Sequence, residues 1–348
     1  MRIIYFGFSR SNSIDSVYIK GLREQGIAVD DFFYPDAGWQ RYRLLAKSFF
    51  DNRRGADITM VGYASPQAVI WLWLLGAHRI VYNALCSEYE RKIVSRGLAK
   101  TTSTKAFYYW LLDYVACFCA KLVMLETQHQ IDYFVKLFHL NPKKLFLAWT
   151  GVDDRKFSYR QGIAKFETFT VLFRGRLLQE AGGTYLVRAA KELEDQSIDI
   201  LMLAAGQELP AVQALIEELK PKRLKLVTDF LPDEELLMTM GQCHVSLGQL
   251  GNHDRLQRTI PHKAYESIAL KLPYLTARNP AVMELLKENE TCLAFNPADS
   301  HDLAQKILWA KDHQAELVKI AENAYELYQK KLTTKALAAA LLERIKVL

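Results

Sequence analysis

The chain of 348 residues is long enough for two domains of ordinary size, and it is globular in composition, with 50% hydrophobic and 24% charged residues and no low-complexity tract. Its net charge of +6 is uneven: residues 1–160 hold 22 basic and 14 acidic side chains, whereas the remainder holds 23 and 25. A basic first half that also carries five of the six tryptophans predicts contact with anionic lipid, a phosphorylated substrate or nucleic acid.

Neither a signal peptide nor a membrane-spanning helix is predicted. The N-terminus, MRIIYFGFSRS, has a strand pattern that enters a polar loop, without the length or the small-residue exit of a signal peptide. The apolar stretch 68–75 is too short to span a bilayer, and residues 107–125 are interrupted by Asp113 and Lys121. The five cysteines lie in apolar segments without zinc-ligand spacing, which indicates reduced thiols in a cytosolic protein. Peripheral attachment to a membrane stays open.

The first half of the chain alternates predicted strands with predicted helices. The strands cover residues 3–7, 28–33, 57–62, 79–85, 122–125 and 144–148. The helices cover residues 16–25, 40–53, 66–75, a long aromatic segment ending near 119, and 128–138. Because several of the strands are continuous apolar runs, the alternation predicts a parallel sheet covered by helices on both faces.

The alternation restarts after a connector at residues 149–157. Strands are predicted at 169–173, 199–204, 225–227, 243–247 and from 273, with helices at 184–194, 211–218, 233–240 and after Pro261. Two such units predict an α/β protein of two doubly wound, Rossmann-like domains facing each other across a cleft. We divide the chain into domains 1–158 and 159–330, with a helix at about 330–348 that can pack back on the first domain.

A glycine-rich loop and a helix follow the strand that ends at residue 247. The loop contains Gly248, Gly251 and Asn252. Pro261 is predicted as the first helical residue, and Ile260 before it cannot cap the helix with its side chain. An anion is therefore expected at the helix N-terminus, where Lys263 adds a positive charge. Glu266 could accept hydrogen bonds from sugar hydroxyls; the alternative is a surface ion pair between Lys263 and Glu266.

Two arginines and two glycines follow the strand predicted at 169–173. Arg174 and Arg176 flank Gly175, and Gly182 and Gly183 precede the next helix. Arginine binds phosphate through a planar fork of donors, and glycine allows the backbone to approach a ligand closely. The pattern predicts a phosphate site, with an ordinary solvated turn as the alternative.

Other strand ends give weaker signals. Gly206 and Phe230 follow two later strands and could line a base-binding pocket, although ordinary turns have the same pattern. The first strand is followed by Ser9, Arg10, Ser11 and Asn12. This polar loop lacks the glycine spacing of a dinucleotide fingerprint, which disfavours a Rossmann dehydrogenase, and it could equally cap the next helix. The histidines show no ligand grouping and no Asp-x-Asp motif occurs, so no essential metal is expected.

Several of these motifs together resemble one enzyme family. They are Pro142-Lys143-Lys144-Leu145, Gly151-Val152-Asp153 and Phe157 near the connector, Gly175-Arg176-Leu177, and Lys263, Glu266, Ala269 and Pro273. From Lys143 onward the chain resembles the family 4 retaining glycosyltransferases (glycosyltransferase group 1) of GT-B fold, and before Lys143 the resemblance is loose. It implies that the second domain holds a nucleotide-sugar donor, that the acceptor lies against the first, and that the anomeric configuration is retained.

The resemblance also implies roles for residues. Arg176 matches the family residue that grips the donor pyrophosphate, and Glu266 matches the one that binds the ribose hydroxyls. We predict a donor site containing Arg174, Gly175, Gly206, Phe230, Gly251, Asn252, Pro261, His262 and Glu266. We predict an acceptor side containing Ser9, Arg10, Ser11, Asn12, Asn83 and Ser87. The family's histidine in the first domain has no clear counterpart near Leu85, Cys86 and Ser87.

Two positions depart from the family pattern. A lysine is usual where Ala181 stands, and a glutamate is usual where Arg258 stands. We hypothesise that the two changes are coupled, so that Arg258, Arg174 or Lys263 replaces the lost charge on the diphosphate. Arg176, Lys263 and Arg258 are therefore the predicted catalytic residues.

The sequence thus predicts a retaining glycosyltransferase of cell-surface glycan or glycolipid synthesis, in the cytoplasm or loosely attached to the inner face of the membrane. Its predicted partners are a nucleotide sugar, a glycan or lipid-linked acceptor and an anionic membrane, with no cofactor. Nucleic acid is disfavoured because the basic residues interleave with apolar helices. The alternatives are a nucleotide-sugar epimerase, whose acid/base groups are not identifiable, and a catalytically inactive binding subunit, which the missing lysine and glutamate favour.

Overall fold

A computed structural model describes residues 1–9, 14–36 and 38–348, which form two compact units. The first unit comprises Met1–Asp153 together with Lys331–Leu348, and the second comprises Asp154–Lys330. The division therefore falls at Asp153, whereas the sequence placed it at residue 158. The C-terminal segment belongs to the first unit.

The first unit contains a parallel sheet of six strands in the order β2-β1-β3-β4-β5-β6. The strands are β1 (Arg2–Gly7), β2 (Ala28–Phe33), β3 (Ile58–Val61), β4 (Ile80–Leu85), β5 (Leu122–Leu125) and β6 (Leu145–Leu147). Strands β3, β4 and β5 are buried along their whole length, as expected of apolar runs between two helical layers. The direction of strand addition reverses between β1 and β3, so the switch point of this sheet lies there.

Five helices connect these strands. They are α1 (Asp15–Glu24), α2 (Gln40–Asn52), α3 (Pro66–Leu74), α4 (Thr104–Cys119) and α5 (Gln128–Phe138). Buried side chains of α2 to α5 share one hydrophobic core with the sheet. The segment between β4 and α4 contains a π-helical turn at Glu90–Ser95, where neither a strand nor a helix was predicted.

The second unit contains another parallel sheet of six strands, in the order β12-β11-β10-β7-β8-β9. The strands are β7 (Phe169–Arg176), β8 (Ile198–Ala205), β9 (Leu224–Val227), β10 (Val245–Leu247), β11 (Tyr274–Ala277) and β12 (Leu293–Phe295). Strand β7 is three residues longer than predicted, because its pairing with β8 continues to Arg176 opposite Ala205. Strand β12 was not predicted, since three residues are too few to show a periodic pattern.

Helices of the second unit share a hydrophobic core with its sheet, through buried side chains that include Leu186, Val212, Leu303 and Leu317. The helices are α6 (Gly183–Glu192), α7 (Leu209–Leu219), α8 (Asp233–Gln242), α9 (His262–Ala269), α10 (Pro280–Leu285), α11 (Ser300–Asp312) and α12 (Gln314–Lys331). The last helix of the chain, α13 (Thr334–Ile345), lies within the segment 330–348 that was predicted as a helix.

Helix α13 packs against α1 in the first unit. Gly21 of α1 lies so close to the backbone of Thr334 that a Cβ at this position would clash with the carbonyl of Thr334. The hydroxyl of Thr334 also donates a hydrogen bond of 2.7 Å to Glu24 of α1.

Among all the helices in the described ranges, none is both long and apolar enough to cross a lipid bilayer.

Candidate functional site

The candidate site lies where strand order reverses in the second sheet, between β7 and β10. Strand β10 ends at Leu247, which is opposite Phe173 of β7. Strand β7 continues to Arg176 along β8, so residues 174–176 have a neighbouring strand on one side only. Ligands of doubly wound sheets bind at such carboxyl-end switch points. The predicted Arg-Gly-Arg motif is thus part of the strand that borders this opening.

The loops that follow β7 and β10 are hydrogen-bonded to each other. The N–H of Leu250 donates to the carbonyl of Ala181 (3.2 Å), and the N–H of Gly251 donates to that of Glu180 (3.3 Å). Gly182 has φ +68°, and a Cβ there would lie 2.6 Å from the nitrogen of Gly251. The close contact of the two loops therefore requires glycine at position 182.

Lys263 is buried next to the end of β10. Its Nζ donates a 3.1 Å hydrogen bond to the carbonyl of Gly248 and lies 4.2 Å from the ring centroid of Phe173. Burial, and to a smaller extent the charge of Arg174, lowers the pKa of Lys263 to about 7. A bound anion would favour the protonated form of this lysine.

Glu266 contacts two basic side chains. Its carboxylate forms an ion pair with Arg174, and Nδ1 of His262 lies 3.3 Å from the other carboxylate oxygen. The side chains of Arg174 and Glu266 are only 14% and 12% exposed. Burial lowers the pKa of Arg174 to about 10, so this arginine is still charged at neutral pH. The surface ion pair between Lys263 and Glu266, which was the alternative from the sequence, does not form. Lys263 instead donates its hydrogen bond to the carbonyl of Gly248.

Helix α9 begins one residue later than predicted. Pro261, with φ −61° and ψ 130°, is the N-cap residue, and His262 is the first helical residue. The proline therefore supplies no side-chain cap to the helix, as expected from its chemistry. The hydroxyl of Ser267 lies 2.9 Å from that of Ser246, which fixes α9 against β10 and so positions Lys263 and Glu266.

Two arginines of the loop between β10 and α9 are paired with carboxylates. Arg258 forms an ion pair with Asp254, the first residue of a 3-10 turn at Asp254–Gln257. Arg255 lies 3.4 Å from the buried carboxylate of Glu180, and neither Arg255 nor Glu180 was singled out from the sequence. Their opposite charges were visible in the sequence. They pointed to an ion pair only after the structure showed that the two loops are in contact.

Gly206 and Phe230 lie at the ends of β8 and β9. Gly206 has φ +150°, and a Cβ there would lie 2.7 Å from the carbonyl oxygen of Leu177. The side chain of Phe230 is 92% exposed and follows the edge strand β9, two strands away from β7. The structure brings Gly206 against the loop after β7, and it leaves Phe230 on the surface. Asn252 is exposed, next to the buried Gly251.

The residues predicted on the acceptor side are in the first unit. Three of them lie outside the described part of the chain: Arg10, Ser11 and Asn12. Ser9 is exposed just after β1, and Asn83 is buried in β4. Ser87 is also buried, and its hydroxyl accepts a 2.8 Å hydrogen bond from the N–H of Glu90. The role of Ser87 that is visible here is thus to cap the π-helical turn.

A buried aspartate near the first switch point was missed from the sequence. Asp15, at the start of α1, accepts hydrogen bonds from the hydroxyl of Tyr5 (2.9 Å) and from the N–H of Tyr63 (3.0 Å). An aspartate at a helix start is common, so nothing in the residue pattern indicated that Asp15 is buried. In the described residues, no three or more His, Cys, Asp or Glu side chains are grouped so that they could hold a metal ion. The expectation that no metal is needed stays a prediction.

The candidate site falls within a segment that matches a known family. Residues 155–327 match the family described as "Glycosyl transferases group 1". The match covers most of the second unit. It confirms the resemblance to glycosyltransferase group 1 that the sequence motifs indicated. A comparison with curated protein sequences found no match.

Solved structures resemble this chain along its whole length. HepE from Anabaena in complex with UDP aligns with a TM-score of 0.71 and 14% identity, covering 100% of both chains. Sucrose-phosphate synthase from Thermosynechococcus elongatus aligns with a TM-score of 0.74 and 14% identity, covering 100% of this chain and 99% of the other. A glycosyltransferase from Rickettsia africae aligns with a TM-score of 0.69 and 14% identity, covering 99% of this chain and 98% of the other. The chain therefore has the predicted GT-B fold.

The switch point of the group 1 unit carries the chemistry to bind a phosphorylated ligand. Arg174, Arg176 and Lys263 are cationic groups, and Gly182 lets the backbones of the two loops come together. Glu266 is a hydrogen-bond acceptor on the adjacent helix. A ligand with both phosphate and hydroxyl groups would satisfy both kinds of side chain.

Proposed function

We propose that this protein is a retaining glycosyltransferase that binds a nucleoside-diphosphate sugar at the ends of β7 and β10. The observation that carries the proposal is the placing of Arg176, Lys263 and Glu266 on elements that border the same switch point. A nucleoside diphosphate combines phosphates, which suit the cations, with ribose hydroxyls, which suit the carboxylate. HepE, which shares the fold, was crystallised with UDP and with UDP-glucose, and this supports the same class of donor here.

The ribose can reach Glu266 without breaking its ion pair with Arg174. An ionised carboxylate has about four acceptor positions. Arg174 and His262 approach different oxygens of Glu266, which leaves acceptor positions on both. Arg174 would then orient the carboxylate toward the ribose while its own charge stays close to the diphosphate.

Charge stabilisation is the main catalytic task in this proposal. Negative charge develops on the diphosphate as its bond to the sugar breaks, and Arg176 with Lys263 would stabilise it in a preorganised site. The departing phosphate would take the proton of the acceptor hydroxyl, as the family resemblance implies. The protein would then need no carboxylate base, and its own contribution would be positioning and charge.

We assign the acceptor to the first unit and propose that it is a glycan or lipid-linked glycan of cell-surface polysaccharide synthesis. The enzyme would work in the cytoplasm, at the inner face of the membrane. The support is the excess of basic and aromatic residues in the first 160 residues, which suits an anionic lipid surface.

The proposal is tested by incubating the protein with a panel of nucleotide sugars and measuring nucleoside diphosphate release. We expect one donor to be consumed, with release lowered at least about tenfold in Arg176→Ala because a charge-assisted contact is lost. Arg188→Ala, an exposed arginine of α6 in the same unit, is the matched control and should keep full activity. Release from no donor would contradict the proposed activity.

A catalytically inactive binding subunit is the second candidate. It is favoured by Ala181, which is fully buried where the family has a lysine, and by the ion pair that holds Arg258 to Asp254. Tight nucleotide-sugar binding without release, with either water or a supplied glycan as acceptor, would favour this candidate over the enzyme.

A further inference from the structure

The outer face of α4 carries a row of exposed apolar side chains. Phe107, Leu111, Tyr114 and Phe118 recur at helical spacing and so lie along one face. They are 60%, 40%, 36% and 64% exposed, respectively. Since each helical residue adds about 1.5 Å, the row is about 16 Å long.

The fold does not account for this row. The opposite face of α4 is buried in the core of the first unit, through residues that include Ala116 and Cys117. Single exposed apolar residues are common on protein surfaces, but a contiguous row of four on one helix usually marks an interaction surface. The row is therefore available to a partner without any unfolding of the helix.

The neighbouring helices extend the surface. Helix α3 packs beside α4 and exposes Trp73 (44%) and Leu74 (62%), and α2 packs beside α3. On α2, Arg43, Lys47 and Phe50 are exposed at spacings of four and three residues, so they too share one face. We call the exposed side chains of α2, α3 and α4 the aromatic–basic face. The three helices are adjacent in one layer, so these side chains form one surface.

The charges around the row are positive. Residues 91–125 contain six lysines and arginines and one acidic residue, Asp113, which is buried. Four of the basic residues are exposed: Arg96, Lys100, Lys105 and Lys121. Lys144 lies beside the end of the row, with Nζ 5.8 Å from the ring of Phe118. Any partner of this face must accept apolar side chains and carry negative charge.

We propose that the aromatic–basic face binds the surface of an anionic lipid bilayer. Aromatic side chains are well suited to the interface between headgroups and acyl chains, while lysines and arginines are attracted to anionic lipid. A second copy of the chain fits less well, because a two-fold contact through this face would place the same lysines against each other.

The orientation of α4 relates bilayer binding to the acceptor side, and this step rests on the proposed function. Helix α4 connects two parallel strands, β4 and β5, so it runs antiparallel to them and begins near the carboxyl edge of the sheet. Phe107 is therefore at the end of α4 nearer to Ser9 and Ser87, the predicted acceptor side. A lipid-linked acceptor in the bound bilayer would reach that edge without leaving the membrane.

The test is co-flotation of the full-length protein with vesicles of phosphatidylcholine, with and without phosphatidylglycerol. We expect binding to the phosphatidylglycerol vesicles and little to pure phosphatidylcholine. The double variant Phe107→Ser/Phe118→Ser should lower the partition coefficient at least about tenfold, because two large apolar contacts are lost. Lys100→Glu/Lys105→Glu should lower it by about fivefold or more per lysine.

Matched controls come from the second unit. Val318→Ser changes an apolar residue that is 54% exposed on α12, and Lys330→Glu changes a lysine that is 75% exposed on the same helix. Both should bind vesicles like the unchanged protein. Equal binding by the aromatic variant and these controls would overturn the proposal. A second result would also overturn it: the unchanged protein binds no vesicles and sediments as a dimer, and the aromatic variant sediments as a monomer.

Nucleotide binding separates this proposal from the proposed function. UDP and other nucleoside diphosphates are titrated into the same variants by calorimetry, and we expect the face variants to bind them unchanged. Vesicle binding without nucleotide binding would contradict the proposed function alone. Nucleotide binding without vesicle binding would contradict the lipid-binding face alone.

Discussion

Arg174 and Glu266 form an ion pair that joins the end of β7 to α9, with both side chains largely buried. Each had been predicted from the sequence as a donor ligand, Arg174 for phosphate and Glu266 for ribose. Their pairing links the two predicted roles, because the position and charge of each side chain depend on the other. The pair also fixes the helix to the strand at the switch point.

Removing Glu266 should cost stability as well as ligand affinity. Glu266→Ala would leave the buried charge of Arg174 without its carboxylate, and we expect the free energy of unfolding to fall by about 3 kcal/mol. Urea unfolding measures this, with Glu316→Ala on the exposed face of α12 as the control. The double variant Arg174→Met/Glu266→Ala should regain much of the loss because no unpaired charge remains. A single variant as stable as the control would show that the pair contributes little.

Binding of a nucleoside diphosphate should weaken as pH rises above 7. The pKa of Lys263 is about 7 in the free protein, and a bound diphosphate raises it. Affinity is then highest below the free pKa and falls, by at most about tenfold per pH unit, until the pH passes the pKa of the complex. Calorimetry between pH 7 and 9 checks this, since the phosphates themselves no longer titrate in that range. An affinity that does not change with pH would contradict it.

Lys263→Met provides the matched variant for that experiment. It should bind the diphosphate more weakly than the unchanged protein and without the dependence on pH. It should also be more stable at neutral pH, by on the order of 1 kcal/mol or more, because a buried charge is replaced by an apolar chain. In the unchanged protein, the pKa of Lys263 is lower when folded than its ordinary 10.5, so stability should rise with pH between about 7 and 10.5.

Arg258 tests the idea that the two departures from the family pattern compensate for each other. If Arg258 replaces the missing cation near Ala181, Arg258→Ala should lower turnover at least about tenfold. Asp254→Asn removes the carboxylate that pairs with Arg258 and should leave turnover unchanged or raise it. Near wild-type turnover in Arg258→Ala would sink the compensation hypothesis and leave Arg174 and Lys263 as the remaining replacements.

Two glycines of the candidate site should respond differently to alanine. At Gly248, a Cβ would clash with the side chains of Thr276 and Tyr274, both buried, so we expect a loss of about 2–4 kcal/mol in unfolding free energy. At Gly175 the surroundings are open and only φ +121° opposes a side chain, so the loss should be about 1–2 kcal/mol. Urea unfolding of both variants compares them, and equal losses would contradict the steric explanation for Gly248.

The sequence predicted the parallel sheets well because their strands are short apolar runs between turn residues. Strands β2 and β5 were predicted with the bounds that the structure shows, whereas β7 was ended too early because Arg174 and Arg176 interrupt the apolar run. Their inclusion in the strand comes from pairing with β8, which is a tertiary contact. Helix α10 was missed because Pro280–Leu285 has only six residues.

The sequence indicated the residue types of the candidate site but not their contacts. Lys263 and Glu266 were identified on one helix, yet the sequence does not show that Lys263 bonds to Gly248, fifteen positions away. The pairing of Arg255 with Glu180 depends on two loops brought together by the order of strands β7 and β10. Motif spacing specifies neighbours along one element, and the fold specifies neighbours between elements.

We propose above all that the switch point between β7 and β10 binds a nucleoside diphosphate. Calorimetric titration of the full-length protein with a panel of nucleoside diphosphates tests it most directly, using Arg176→Ala and the control Arg188→Ala. We expect one nucleoside diphosphate to bind, with affinity about 10- to 100-fold lower in Arg176→Ala and unchanged in Arg188→Ala. Binding of none of them, or an equal effect of the two arginine variants, would show that Arg176 and this switch point do not form a nucleoside diphosphate site.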